Sequence, residues 1–524
     1  MPGTFFGFNT ALRGMQAQQR GIYTTAHNIA NANTDGYTRQ RVVLATLPAY
    51  PVPSMNHPGG QGWQIGTGVD SQETRRMRDE FLDTQIRRET GTLGMWQQIQ
   101  DVLSQVEIVF NEPSDTGLST LMSQFWAAWQ ELAKNAESSP VRTTVVETAS
   151  ALAEAFNHSA QQLETIINDI DQTIKLKVTE INSIAQQIAD LNGQIKNIIA
   201  AGDQPNDLMD QRDLLLDKLS KIIDFQVEPN TITVNGKEVF DGQIKVKLGL
   251  STNYLVEVAN DQSKINKIKS YNAKIYMESD TTSNTSEIQF SRGEIKGLQE
   301  AFSDVNTYLA KLNILARGLA ENINNLHKEG YNLSGQKVDS NAGTVDTYEN
   351  FFVALTDPSN PNNSISNITA RNIAVNPNIR NDVSQIAAAY PDPKDTSTSN
   401  PPASIAPGNG YNALRIAQLQ QKLYVENNGT LQESLSGGVT IDDYYKNFTA
   451  KLGVDAHEAS RMTTNQGVLV DQLTNRKESI SGVSLDEEMA NMLQYQRAYE
   501  AAARMITTLD AMLDKIINGM GVTR

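Results

Sequence analysis

Residues 163–198 read LETIINDIDQTIKLKVTEINSIAQQIADLNGQIKNI, and large apolar side chains recur along them at intervals of three and four residues. The apolar series, interrupted only by Lys177, is Leu163, Ile167, Ile170, Ile174, Ile181, Ile184, Ile188, Leu191, Ile195 and Ile198. Spacing of this kind puts the apolar side chains on one side of an α-helix. A helix of roughly ten turns needs long partners to cover that side, so the sequence predicts an elongated helical bundle.

Two other stretches carry the same spacing and can supply those partners. The first apolar series is Trp96, Ile99, Leu103, Val106 and Phe110. The second is Tyr445, Phe448, Leu452, Ala459, Met462, Leu469, Leu473 and Ile480. The bundle is therefore expected to draw its helices from well-separated parts of the chain.

Both ends of the chain also show heptad-spaced apolar residues. The N-terminal series is Phe5, Phe8, Leu12, Met15, Ile22, Ala26 and Ile29, and the C-terminal series is Leu485, Met489, Met492, Tyr499, Ala503, Ile506, Leu513, Ile517 and Met520. This pattern predicts two terminal helices that pair as a coiled coil. Gly7, Gly14 and Gly21 form a row along the first helix, and a neighbouring backbone is expected to approach closely there.

Two regions depart from the helical pattern. From Phe225 to about Phe290 apolar and polar residues alternate, and Asn235-Gly236 stands between two such runs as a hairpin signal. Residues 334–407 are rich in Asn, Ser, Asp, Thr and Pro, which predicts loops and short strands. The predicted fold is mainly α with β-rich insertions: an elongated long-helix bundle, paired terminal coiled-coil helices and an outer β/loop domain.

The order of these segments predicts three layers. Residues 1–50 and 484–524 would form a terminal coiled-coil assembly layer. Residues 51–224, 293–333 and 408–483 would form the long-helix bundle, and residues 225–292 and 334–407 the outer β-rich and loop insertions.

Composition and motifs exclude several classes of protein. The chain has 524 residues, a formal net charge of −16 and no cysteine. The negative charge argues against nucleic-acid binding, and the lack of cysteine removes disulfides and thiolate metal sites. No run approaches the roughly 18 consecutive apolar residues of a membrane span. Nor does the N-terminus have the form of a secretory signal peptide, so no membrane insertion is expected.

No catalytic chemistry can be read from the sequence. His457-Glu458 begins like the zinc motif H-E-x-x-H, but Arg461 stands where the second histidine ligand must be. The glycines at positions 59, 60 and 62 lie in a proline-rich segment without the strand and helix that frame a phosphate-binding loop. The sequence thus predicts no catalytic residue, no metal and no cofactor, and a protein that is not an enzyme.

The most informative segment follows the first helix and reads NIANANTDGYTRQ over residues 28–40. Asparagine and threonine side chains satisfy backbone groups at helix ends and turns, and Gly36 can adopt a positive φ angle. Tyr37 adds a large apolar face with a polar tip. This composition predicts a structured helix exit into an extended arm.

Residues 28–40 resemble the N-terminal signature of the flagellar rod, hook and hook-associated proteins. The segment MLQYQRAYEAAARMI at 492–506 and Leu509-Asp510-Ala511-Met512-Leu513 resemble the C-terminal counterpart. Residues 66–69, 207–213 and 327–331 with Gly335 are similar to the hook-associated members at the hook–filament junction. The likeness spans the chain from Phe6 to Ile517, although the insertions show no match.

The resemblance implies a structural adaptor that joins hook to filament as a ring. Its expected partners are further copies of itself, the flagellar hook protein, the next hook-associated protein toward the filament, and a cytoplasmic export chaperone on the C-terminal helix. Type III export and a place outside the cell are implied as well. A hook or rod protein, another flagellar axial protein and an exported coiled-coil adhesin are the alternatives.

The resemblance also implies two sets of site residues. The first, an N-terminal assembly signature, comprises Asn28, Asn31, Asn33, Thr34, Gly36, Tyr37, Arg39 and Gln40. The second, a helix for assembly and chaperone binding, comprises Leu485, Met489, Met492, Tyr499, Ile506, Leu513, Ile517 and Met520.

Overall fold

A computed structural model of the chain describes most of its residues. The described ranges are 6–49, 66–110, 117–234, 236–259, 262–279, 287–337, 350–355, 368–391, 405–427, 429–434 and 437–519. The helices are α1 (Phe6–Ala30), α2 (Glu80–Phe110), α3 (Leu118–Lys134), α4 (Ser139–Ala200), α5 (Asn206–Ile222), α6 (Glu294–Glu329), α7 (Pro377–Asn381), α8 (Tyr411–Ala417), α9 (Ile441–Ser481) and α10 (Leu485–Gly519). The mainly helical class predicted from the sequence is confirmed.

The strands form small antiparallel sheets. Their bounds are β1 (Gln40–Thr46), β2 (Val69–Arg76), β3 (Phe225–Val234), β4 (Lys237–Leu248), β5 (Tyr254–Ala259), β6 (Gln262–Ile265), β7 (Ile268–Tyr271), β8 (Lys274–Met277), β9 (Phe352–Ala354), β10 (Ile373–Val375), β11 (Tyr424–Asn427) and β12 (Thr430–Glu433). One sheet has the order β3-β4-β5-β6, and the other strands pair as β1 with β2, β7 with β8, β9 with β10 and β11 with β12.

The long predicted helix is α4, which begins and ends beyond the pattern that revealed it. Leu163, Ile174, Ile181 and Ile188 on its apolar side are fully buried. They join a core with residues of α2, α3, α6 and α9, including Trp126, which is 1% exposed. Burying each large apolar side chain contributes roughly 1.5–3 kcal/mol, so this core dominates the stability of the bundle.

The predicted hairpin is present. Thr231 lies opposite Phe240 and Ile232 opposite Val239, and Gly236 in the turn has a φ of 77°. Asn235, the other turn residue of the prediction, lies outside the described residues. The β3–β4 ladder slips between Pro229 and Thr231, and β5 pairs only with the far end of β4. The tip of the hairpin therefore extends beyond the four-stranded sheet as a two-stranded ribbon.

The two terminal helices pack against each other in an antiparallel pair. The three-glycine row of α1 meets side chains of α10 there, and not a backbone. A Cβ placed on Gly21 would lie 2.9 Å from the ring of Tyr495, and one on Gly7 would lie 3.6 Å from Leu509. Gly14 has no neighbour within 4 Å in the described part of the chain. A close approach by the backbone of a second subunit stays a prediction. Across the described ranges, no helix combines the length and apolarity that crossing a membrane requires.

Candidate assembly site

The N-terminal signature begins as a series of turns at the end of α1. The backbone N–H groups of Asn31, Thr34 and Tyr37 donate to the carbonyls of His27, Asn31 and Thr34 at 3.1, 2.9 and 3.1 Å. Gly36 has a φ of 78°, and a Cβ there would meet Leu214 at 3.1 Å. The glycine is thus required both by the backbone conformation and by the approach of α5.

Asn28 is the centre of the signature, with a side chain that makes four hydrogen bonds although the residue is only 1% exposed. Its Nδ2 donates to the Gln40 carbonyl at 2.8 Å and to Glu488 Oε2 at 2.9 Å. Its Oδ1 accepts from the Gln40 N–H at 3.0 Å and from the Tyr37 hydroxyl at 2.7 Å. One amide group therefore fastens α1, the strand β1 and the first turn of α10 together.

Arg39 completes the attachment of α10. Its Nε donates to Glu488 Oε1 at 2.8 Å and its Nη1 to Glu487 Oε2 at 2.9 Å, while its backbone N–H donates to the Ser481 carbonyl at 3.0 Å. Glu488 is 2% exposed, so its carboxylate needs both Arg39 and Asn28. A buried carboxylate that loses such partners costs several kcal/mol.

The same segment is held on its other side by the start of α5. Gln40 Nε2 donates to Asp207 Oδ1 at 2.8 Å, and the Thr38 N–H donates to Asp210 Oδ2 at 2.9 Å. Asn206 donates to Gln40 Oε1 at 3.2 Å. We call this set of contacts, made by residues 27–40, 206–210 and 481–488, the joint, because it links the terminal helices to the bundle.

Burial and neighbouring carboxylates set the protonation of Tyr37. Burial, reinforced by the negative charges of Asp207, Asp210 and Glu488, raises the pKa of the Tyr37 hydroxyl well above its usual value. The hydroxyl therefore keeps its proton and donates it to Asn28. The aromatic ring of His27 lies 5.5 Å from that of Tyr37, and its Nε2 is 3.5 Å from Asp207.

An ionic network extends the joint into the bundle. Arg76 Nη1 lies 2.8 Å from Asp210 and 2.7 Å from Asp213, and Arg87 Nε lies 2.6 Å from Asp217. Further members are Arg78, Asp83 and Lys477, so that α2, α5 and α9 share one set of charges.

Two carboxyls in this network shift in opposite directions. Burial of Asp213 would raise its pKa, but Arg78, Arg76 and Arg87 outweigh burial and hold the pKa of that carboxyl below its usual value. Burial dominates at Asp210 and raises its pKa despite Arg76 and Thr38. The network is therefore an ion-pair cluster in which burial dominates at one carboxyl and neighbouring arginines dominate at the other.

Half of the predicted signature residues meet at the joint. Asn28, Tyr37, Arg39 and Gln40 converge there. Asn31 and Thr34 serve the turn itself: Thr34 Oγ1 donates to Asn31 Oδ1 at 3.2 Å, and Asn31 Nδ2 donates to the His27 carbonyl at 3.1 Å. Gly36 allows the chain to reverse, and Asn33 is exposed on the same turn.

The predicted α10 series is divided between two environments. Half-buried residues of the series are Met492, Tyr499, Ile506 and Leu513. Exposed residues are Leu485, Met489 and Ile517, while Met520 lies outside the described residues. Further exposed apolar side chains that the prediction missed are Leu493, Met505, Met512 and Ile516, each between 49 and 58% exposed. We call the exposed apolar residues of α10 its open face.

The sequence also missed the charged partners at the joint. Glu488 and the four α5 aspartates at positions 207, 210, 213 and 217 carry most of its polar contacts. The aspartates recur at intervals of three, three and four residues, which places them on one side of a helix. That spacing was the available signal. Among the described residues, no group of three or more His, Asp or Glu side chains could hold a metal ion.

Known families match three parts of the chain. The family described as "Flagellar hook-associated protein FlgK helical domain" matches residues 103–341. The "Flagella basal body rod protein" family matches residues 8–38, and the "Flagellar basal body rod FlgEFG protein C-terminal" family matches residues 478–519. The two terminal matches contain α1 and α10, the helices that the joint connects.

Curated relatives match over the whole length. Flagellar hook-associated protein 1 of Bacillus subtilis is 32% identical over 100% of this chain and 99% of the relative. Its Escherichia coli counterpart is 25% identical over 97% of this chain and 99% of the relative. The full-length match favours a hook-associated protein over the rod proteins and over the adhesin alternative.

A solved structure shares the fold. The flagellar hook junction protein FlgK from Burkholderia pseudomallei aligns with a TM-score of 0.56 at 17% identity, over 76% of this chain and 100% of that one. With the joint, the terminal matches and the full-length relatives in agreement, the chain belongs to the family of flagellar hook-associated protein 1 and is a structural component of the extracellular hook–filament junction, not an enzyme.

Proposed function

We propose that this subunit forms a ring with copies of itself, with the hook protein on one side and the next hook-associated protein on the other. The observation that carries this proposal is the joint, because it fixes the terminal helix pair to the bundle through buried polar contacts within one chain. A subunit that transmits force between two tubes needs such a rigid connection between its layers.

The three predicted layers receive separate roles in this proposal. Residues 1–50 and 484–524 make the contacts of the tube wall, and the bundle of residues 51–224, 293–333 and 408–483 supports them. The insertions at 225–292 and 334–407 occupy the outside. The division is supported by Thr38 and Gln40, which join the first layer to Asp210 and Asp207 of the second through contacts far apart in sequence.

The signature residues act in assembly by holding the terminal pair in one orientation. Asn28 and Arg39 contact Glu488, and Gln40 contacts Asp207, so each contributes to the angle between α10 and the bundle. Asn33 is the exposed signature residue best placed to touch a neighbouring subunit directly. The signature would thus act mainly through shape within its own subunit.

The open face of α10 supports an export chaperone as a further partner. Apolar side chains exposed in a row on one helix are an aggregation hazard until something covers them. In the cytoplasm a small chaperone would cover Leu493, Met505 and their neighbours, and in the ring a neighbouring subunit would replace it. Type III export would separate these two states.

The test compares Arg39→Ala with Arg41→Ala in motile cells. Arg39 binds Glu487 and Glu488, whereas Arg41 is exposed and forms no ion pair within the described ranges. Labelling electron microscopy of isolated flagella should place the wild-type subunit in a band at the distal end of the hook. Arg39→Ala cells should export the subunit yet lose filament attachment and release flagellin, while Arg41→Ala cells should swim normally. Label spread along the hook, or normal swimming of Arg39→Ala cells, would contradict the proposal.

A further inference from the structure

A cleft of about 490 Å³ lies beside the joint and shares Asn206 and the arginines of the ionic network with it. Its walls come from β2 and the start of α2 on one side, α5 at the base, and the β3–β4 hairpin on the other. Five arginines line it, namely Arg75, Arg76, Arg78, Arg87 and Arg212. We call it the arginine cleft.

Three of these arginines are already neutralised. Arg76, Arg78 and Arg87 share the carboxylates of Asp210, Asp213 and Asp217, as the ionic network shows. They hold the cleft in shape and leave little charge for a ligand.

Arg212 is different because none of the described carboxylates lies within ion-pair distance of it, and Asp213 and Asp241 act on it only from farther away. It is 5% exposed, and its Nη1 donates to two neutral oxygens, Asn192 Oδ1 at 3.0 Å and the Gly242 carbonyl at 2.6 Å. Its Nε has no hydrogen-bond partner within the described part of the chain. Burial lowers the pKa of Arg212 to about 10, so it is still charged at neutral pH. A buried cation with few acceptors is costly, and because Arg212 lines the cleft, a negative charge placed there would reduce that cost.

Arg75 is the other arginine of the cleft that forms no ion pair with a described residue. It is exposed at the rim. Glu73 and Glu80 also line the rim, and neither forms an ion pair with Arg75 or Arg212. The cleft thus offers one buried and one exposed guanidinium on a chain whose net charge is −16.

The opposite wall comes from the β3–β4 hairpin, with Val227 in the four-stranded sheet and Phe240 on the projecting ribbon. Both side chains line the cleft and are each 38% exposed, so the cleft presents apolar surface beside its arginines. Arginine beside an aromatic ring is the composition of interface centres, where both residue types are enriched. A free anion in solution would use the arginines and leave this apolar wall uncovered.

We propose that the arginine cleft receives an aspartate or glutamate, flanked by apolar residues, from an adjoining subunit of the flagellar axis. The carboxylate would lie between Arg212 and Arg75, and the flanking side chains would cover Phe240 and Val227. This inference rests on the proposed function, since it needs neighbouring subunits in contact with the bundle.

A photo-crosslinking experiment on assembled junctions tests the site. A photoreactive phenylalanine analogue is placed at Phe240, or at Tyr271 as the control, since Tyr271 is 70% exposed on β7 and outside the cleft. After labelling has located each subunit at the end of the hook, irradiation should link position 240 to a neighbour. Mass spectrometry should identify a linked segment that contains Asp or Glu, and position 271 should give at least about tenfold less of that product.

Charge reversal at the rim supplies the second arm. Arg75→Glu should reduce the crosslink at position 240 about tenfold, whereas Lys218→Glu, an equal charge change on an exposed part of α5 outside the cleft, should not. A crosslink that survives Arg75→Glu, one to a segment without acidic residues, or none in correctly located subunits would overturn the proposal. The proposal would also be overturned if inorganic phosphate stabilised the purified wild-type subunit against heat, Arg75→Glu abolished that stabilisation, and position 240 gave no crosslink. Subunits found away from the hook's end would instead count against the proposed function.

Discussion

The helices α4 and α10 are both long, and their apolar residues recur at similar intervals, yet the chain covers only one of them. On α4 the residues Leu163, Ile174 and Ile181 are fully buried against α2, α3 and α6. On α10 the inner residues are half-buried against α1, and Leu493 and Met505 are each 58% exposed. The difference lies in the neighbours that the fold provides.

That difference separates two uses of the same helical pattern. The α4 stripe is satisfied inside one subunit and stabilises the folded chain. The open face of α10 gains its burial only from a second molecule, and its apolar area then contributes to association instead of folding. Helical spacing in a structural subunit therefore reports that a surface will be buried, but not whether the chain buries it alone.

Hydrogen exchange on the purified subunit should show the largest contrast. Amides of α4 should be protected to nearly the global stability, whereas residues 6–24 and 492–519 should exchange orders of magnitude faster, because α1 and α10 are covered there only by each other and by the two-stranded β1–β2 pair. Gly7, Gly14 and Gly21 add to this, since each costs a helix roughly 1 kcal/mol relative to alanine. In isolated junctions the same terminal residues should become protected. Equal protection of α4 and α10 in the free subunit would contradict the comparison.

A matched pair of isoleucine-to-alanine substitutions should show that α4 contributes more than α10 to the free energy of unfolding. Ile174 is fully buried on α4, and Ile506 is half-buried on α10. Ile174→Ala should lower the free energy of unfolding by about 2–5 kcal/mol, the usual cost of deleting a buried isoleucine to alanine. Ile506→Ala should lower it by less, about 1–2 kcal/mol, because part of its side chain stays exposed to solvent in the single chain. Urea unfolding of both variants measures this, and similar losses would place α10 in the same cooperative core as α4.

Much of the fold could be read from the sequence because it depends on local periodicity. The α4 stripe, the series from Trp96 to Phe110 and the Asn235-Gly236 hairpin each depend on residues close together in the chain. The structure places a helix or a hairpin at each of them. The glycine row shows where such reading ends, since helical spacing gives the direction of a residue but not what lies opposite it, which for Gly7 and Gly21 is a side chain of α10.

Only part of the joint could be predicted from the sequence, because local patterns do not show which distant residues come into contact. Asn28 and Gly36 predicted a structured turn from local sequence. Arg39 and Glu488 are 449 residues apart, and no sequence pattern predicts their contact. A buried ion pair depends on tertiary packing, which brings a particular carboxylate to a particular guanidinium. The division of α10 into an inner and an open face was missed because it depends on where α1 lies.

Acid should weaken the ionic network that extends the joint into the long-helix bundle. The pKa of Asp213 is held low in the folded chain by Arg78, Arg76 and Arg87, which outweigh its burial. Its contribution to stability is thus present above the unfolded pKa of about 4 and is lost as pH falls through the lower folded value. Asp213→Asn should be less stable than wild type at pH 7, and urea unfolding should show the gap closing below about pH 4.

Asp210 provides the control for that pH dependence. Burial raises its folded pKa, so its ionised form opposes folding at neutral pH and its protonation favours the folded state as pH falls. Asp210→Asn should therefore not reproduce the closing gap of Asp213→Asn. A gap for Asp213→Asn that is constant from pH 7 to pH 3 would show that Asp213 contributes by packing and not by charge.

Substitutions on the open face of α10 should have the smallest effect on the free energy of unfolding. The same substitutions should abolish binding of the export chaperone and of the neighbouring subunit. Leu493→Asp with Met505→Asp changes two exposed side chains, and such changes usually alter stability by less than about 0.5 kcal/mol. The free subunit should unfold in urea as wild type does. A chaperone or neighbouring subunit that covers this face would have to bury two charges, so pull-down of the export chaperone and filament attachment should both fail. Asn465→Asp with Ser479→Asp, exposed on α9, adds the same charge elsewhere and should preserve both. Normal chaperone binding and normal filament attachment by the α10 variant would contradict the prediction. The exposed apolar residues of α10 would then not be a binding surface, and α10 would differ from α4 only in how well it is packed.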